Sequence, residues 1–147
     1  MAAVLLALAL SCSTQSTRTP GGASGFQSFL DHSAVNADAG SVDWSTSWRL
    51  TWEPVADATG YAVYFGTSEG QPSGPPQRVE TSPEVVVQAA AGSSPPDRID
   101  ADRRAALAMT AAQLTVAIAP VGADGSQGPR SPWFAVGATA NSEAPAG

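Results

Sequence analysis

The chain has no lysine, one histidine and one cysteine among its 147 residues. Each scarcity removes a class of function. Seven arginines stand against thirteen acids, and the formal net charge is −6. Sequence-independent binding to nucleic acid needs clustered cations that neutralise phosphates, so nucleic acid is not expected as a partner. The acidic surface favours solubility. Cys12 stands alone and cannot form an intrachain disulfide, so packing must hold the fold together. His32 is the only imidazole and lies in the least regular part of the sequence, which leaves Ser–His or Cys–His catalysis without a base. It reads as a surface histidine. A glycosidase needs two opposed carboxylates, and acids such as Asp57 and Glu69 lie in turns where none can be paired. The chain is therefore read as a non-enzyme with no cofactor and no metal. Long apolar runs are missing too: Ala2–Leu10 is uninterrupted but too short to span a bilayer.

That short run fits the core of a secretory signal peptide. It leads into Ala9-Leu10-Ser11-Cys12 and then into Ser, Thr, Gln and Gly. The junction resembles a bacterial lipobox, in which a small residue precedes a cysteine that becomes lipid-modified. Ala9 stands where leucine is usual, and no basic residue precedes the apolar run. A plain signal peptide with an incidental cysteine is the alternative. Both readings imply export, with Cys12 as the lipidation site in a membrane-anchored lipoprotein and secretion otherwise. Residues 13–25 read as a flexible linker, 26–138 as one domain and 139–147 as a disordered tail.

Within the domain the apolar residues recur with period two. Trp48, Leu50 and Trp52 alternate with Ser47, Arg49 and Thr51, which predicts a strand with one buried face. Glu53-Pro54 ends it, and Asp57–Gly60 supplies a turn. Tyr61, Val63 and Phe65 then share one face, with Ala62 and Tyr64 on the other. Short strands are expected at 78–82, 84–88, 114–119 and 133–137, with Phe134 and Val136 inward. Phe26–Val42 is open between a first edge strand and a short helical turn. Strands at this spacing argue for an all-β, immunoglobulin-like antiparallel sandwich of about seven strands.

Leu50-Thr-Trp52, Gly60-Tyr-Ala-Val-Tyr64 and Leu114-Thr-Val-Ala-Ile-Ala-Pro-Val121 resemble a fibronectin type III domain. The resemblance implies that Trp52 packs centrally with Tyr61 and Val63 beside it. It also implies a binding or spacer module that contacts proteins or separates domains. Leu114 stands where the family carries a tyrosine that ties back to upstream backbone. The link from Val87 to Leu114 is longer than usual, and Pro96-Asp97 followed by an alanine-rich stretch predicts a helical insertion near 97–109. Asp97, Asp100 and Asp102 could in principle hold Ca²⁺. Interleaved Arg98, Arg103 and Arg104 make a salt-bridged helix face the preferred reading.

Trp48 and Trp52 share the core parity, whereas Trp44 and Trp133 do not have that explanation. Exposed indoles stack on sugars or anchor protein partners, so Trp44 and Trp133 are candidate ligand residues unless the N-terminal segment or the insertion covers them. Asp124 and Arg130, in the Gly-rich loop 122–130, complete the candidate set. The expected partner is a protein at the cell envelope, with a polysaccharide as the alternative.

Overall fold

A computed structural model describes residues 19–36, 40–67, 69–110 and 113–137. Residues 1–18, which hold the expected signal segment and Cys12, and residues 138–147 lie outside the described residues. In chain order the elements are β1 (Gln27–Asn36), β2 (Val42–Thr51), β3 (Ala58–Thr67), β4 (Arg78–Glu80), β5 (Glu84–Ser94), α1 (Ile99–Thr110), β6 (Leu114–Gly122) and β7 (Phe134–Ala135). They form two antiparallel sheets, β1-β2-β5 and β4-β3-β6-β7. The expected all-β sandwich with a helical insertion is what the chain forms.

Alternation accounts for the core. Leu50 of the first sheet and Trp52, just after the end of β2, meet Tyr61, Val63, Val116 and Ile118 from the second sheet in one buried cluster. Trp48, Phe65, Leu114 and Phe134 pack against it. Trp52 meets Tyr61 edge-on at 5.2 Å between ring centroids, and Phe26 at 6.5 Å. The link from β2 to β3 is tied by Tyr61 itself, whose hydroxyl accepts the Val55 backbone N–H at 3.0 Å. A tyrosine tie to upstream backbone therefore exists, but it closes this turn rather than the start of β6. Asp57 takes the left-handed conformation there, with φ of 64°, which aspartate tolerates better than most side chains.

Of the two readings left open for Phe26–Val42, the first edge strand holds, as the ten-residue β1. Three sequence expectations need correction. β2 starts at Val42, well before Trp48. Residues 19–25 do not behave as free linker: Pro20 and Ala23 are buried, Ala23 in the main core, and the Glu53 N–H donates to the Ser24 carbonyl at 2.9 Å. β5 runs to Ser94 through Ala89-Ala-Ala-Gly-Ser, small residues with poor strand propensity. An unpaired Ala89 makes a bulge opposite Thr46/Ser47, which switches β5 parity. Val85 and Val87 face inward before it; Ala90, Gly92 and Ser94 do so after it.

That switch serves Trp44. Gly92 lies directly opposite Trp44, and a Cβ there would stand 2.7 Å from Trp44 Cζ2. Only glycine lets the indole lie flat across β5. α1 then closes over the same end of the sheet.

Candidate functional site

The face of the four-stranded sheet turned away from the core carries a second, smaller cluster. Ala62 and Tyr64 of β3 stand beside Ala119 and Ala117 of β6, with Val121 and Trp133 packed against them. Small side chains make a floor on which large ones can lie. Gly66 extends it, because a Cβ at Gly66 would stand 3.1 Å from Trp133 Cζ3 and 2.8 Å from Thr115 Oγ1.

The segment after β6 is positioned by Ser131. Its N–H donates to the Ile118 carbonyl at 2.8 Å, and its Oγ accepts the Ile118 N–H at 3.0 Å. Gly128 N–H donates to the Pro120 carbonyl at 2.7 Å, so the loop runs alongside β6 as an irregular extra strand. This stitching sets Arg130 over Tyr64, with the guanidinium carbon 3.7 Å from the ring centroid. The Tyr64 hydroxyl donates to Gln127 Oε1 at 2.8 Å. Tyr64 is thus buried, capped by one loop residue and tethered by another. A guanidinium stacked at this distance is held in plane while its N–H edges remain available for an acceptor.

At the tip of the loop Asp124 Oδ1 accepts both the Ser126 hydroxyl, at 2.6 Å, and the Ser126 N–H, at 3.0 Å. Gly125 has φ of 80°, where glycine is at home. The Ser126 hydroxyl first, and its N–H second, hold the Asp124 carboxyl below the ordinary aspartate range. A depressed folded pKa means the interaction is present above the unfolded value and lost as pH falls through the folded one. The loop should therefore keep its shape through neutral and mildly acidic pH. Ser126→Ala should raise the Asp124 midpoint toward the ordinary value in a carboxyl-carbon NMR titration; an unchanged midpoint would remove this account.

Asp124, Arg130 and Trp133, three of the candidate residues, thus fall on one loop beside one face. Trp44 does not join them. It is 6% exposed and lies in the other sheet, where the insertion covers it, so its candidacy as an exposed ligand residue is withdrawn. Its Nε1–H donates to Ser94 Oγ at 2.9 Å, and the Ser94 hydroxyl donates to Asp102 Oδ2 at 2.7 Å. Arg103 of α1 lies over the indole at 5.9 Å. The aspartates of α1 are engaged by arginines, Arg98 with Asp102 at 3.3 Å and Arg103 with Asp100 at 3.6 Å. Among the described residues no group of three His, Cys, Asp or Glu comes together to hold a metal ion. His32 Nδ1 lies 3.0 Å from Thr46 Oγ1. Cys12 lies outside the described residues.

Sequence reasoning missed Tyr64 and Gln127. The alternation placed Tyr64 off the core face, and its small neighbours Ala62, Gly66, Ala117 and Ala119 on that face were the available hint that something large lies over it. Comparison with protein-family models, curated proteins and solved structures finds no match.

Proposed function

We propose that the chain is a non-catalytic, exported module of the fibronectin type III kind that binds a protein partner at the cell envelope. Arg130 stacked on Tyr64 beside Trp133 carries this reading. Tryptophan and arginine are among the residues that dominate binding energy at protein interfaces, and here the exposed Arg130, held by the buried Tyr64 ring beneath it, and the partly buried Trp133 lie on one outward face. The arginine is already ordered by the ring beneath it, so little rotamer freedom remains to be lost on binding. A carboxylate or backbone carbonyl of the partner is the natural acceptor for its N–H edges. The family assignment is supported by seven antiparallel strands in two sheets and by Trp52 packed centrally with Tyr61 and Val63. Function is argued from the site, because sandwiches of this type serve many roles.

The test places a photo-crosslinking residue at Gln127 and, separately, at Arg49, which lies in the other sheet. Crosslinking in cells to a discrete protein from position 127, absent from position 49 and lost with Arg130→Ala, is the expected result. Equal crosslinking from both positions would defeat the reading. The polysaccharide alternative now has Trp133 but not Trp44. Tryptophan fluorescence that shifts on titration with cell-wall polysaccharide, and no longer does so in Trp133→Ala, would favour it instead. Export and anchoring through Cys12 belong to the same proposal. A Cys12→Ser chain should lose metabolic labelling by a palmitate analogue, and undiminished labelling would refute the anchor.

A further inference from the structure

Edge strands present unpaired N–H and C=O groups, and proteins usually guard them with brevity, proline, bulges or charge. Among the described residues β1, β5, β4 and β7 stand at sheet edges. β4 has three residues and β7 two. β5 is bulged at Ala89, and the Arg78 guanidinium occupies its Val86 carbonyl at 2.9 Å. β1 has none of these devices. It runs ten residues in unbroken register with β2 and contains no proline. Its one charge, Asp31, is neutralised by Arg49 at 2.6 Å. Near its end Val35 is 69% exposed.

We propose that β1 is a self-association edge, at which two copies of the chain pair antiparallel about a two-fold axis through His32. The register selects this occupant. Residues that meet across an antiparallel pair share a sheet face, so odd positions meet odd and even meet even. Pairing centred on His32 sets Phe29 against Val35 of the second copy, Leu30 against Ala34 and Asp31 against Ser33. Apolar meets apolar on both faces, and the Phe–Val match is the aromatic–β-branched kind that stabilises sheets. Centring on Asp31 would set two carboxylates opposite each other and Phe29 against Ser33. Centring on Ser33 would set Asp31 against Val35. A strand that matches its own reverse so much better in one register suits a second copy, and the pairing joins two three-stranded sheets into one of six. The edge is separate from the Arg130 face, so the two proposals stand or fall independently.

The test uses the full chain with Cys12→Ser and single cysteines at positions 29, 31, 32, 33 and 35, oxidised with diamide. Directly opposite residues lie within disulfide reach, so His32→Cys should yield at least fivefold more covalent dimer than the cysteine at 29 or 35. Adding Val35→Lys should cut that yield at least fivefold. In an otherwise natural chain, sedimentation should show Val35→Lys raising the dimer dissociation constant tenfold or more with an unchanged melting temperature. Within each of the two series every variant carries the same N-terminal residues, so differences within a series report on β1. Equal yields at all five positions, or Val35→Lys associating as strongly as wild type, would overturn the proposal.

Discussion

Trp52→Ala should lower the stability of the domain by about 3–5 kcal/mol, the range for deleting a large buried aromatic. Trp52 is 4% exposed and sits where both sheets and the N-terminal segment converge, touching Tyr61 edge-on and Phe26 at a tilt. Its removal takes away apolar area and leaves a cavity bordered by strands that cannot collapse without breaking ladder bonds. With native stability typically about 5–15 kcal/mol, the loss is a large share of the whole. Packing is responsible, because among the described residues the buried indole Nε1–H has no hydrogen-bond partner. Trp52→Phe should therefore recover well over half the loss, since it refills most of the volume and removes an unsatisfied donor. Urea unfolding followed by far-ultraviolet circular dichroism measures both variants. A Trp52→Ala midpoint within experimental error of wild type would contradict the central role of this residue.

How much of this was legible in the sequence depends on which force placed each residue. Hydrophobic alternation is local, and it located β3, β6 and the inward-facing residues of the lower half of β2 correctly. Tyr61, Val63 and Phe65 are on the core side, Ala62 and Tyr64 on the other. The helix was legible from its alanines and its proline-aspartate start, within two residues at its N-terminus. What remained hidden depended on partners far away in the chain. Ala89–Ser93 has no strand propensity of its own; it becomes strand because Trp44, some fifty residues earlier, needs a flat bed. Likewise β1, with its serines and lone histidine, reads weakly alone and is fixed by its partner β2.

The candidate site divides along the same line. Asp124 and Arg130 were found through turn chemistry, which is local, and Trp133 through its parity against Phe134 and Val136. That Arg130 would reach Tyr64, 66 positions earlier, follows only from the pairing of β3 with β6 and from Ser131 stitching the loop to β6. Trp44 was misjudged for the converse reason. Its parity matches Trp48 and Leu50, but it lies beyond the part of the first sheet that the second covers, and the insertion supplies the missing cover.

Trp44→Ala provides the sharpest test of that assignment. α1 is twelve residues long, a length at which an isolated helix is marginal in water, so it depends on docking. Its docking contacts converge on the indole: Arg103 lies over the ring, and Asp102 reaches it through Ser94. Removing the ring should cost about 3–4 kcal/mol in global stability, in the range for buried aromatics, or else release the helix alone. Either way α1 amides should lose most of their hydrogen-exchange protection, and the 222 nm signal should fall, while β3 and β6 amides stay protected below the transition. Trp44→Phe separates packing from polarity. It keeps a ring for Arg103 but loses the donor to Ser94, at a cost of about 1 kcal/mol. Gly92→Val attacks the same contact from the opposite strand by pushing its side chain into the indole, and should reproduce the loss of helix protection with Trp44 intact. A residue poised for a ligand would behave differently: Trp44→Ala would then leave stability within about 0.5 kcal/mol of wild type, as surface substitutions usually do, and the helix would stay in place.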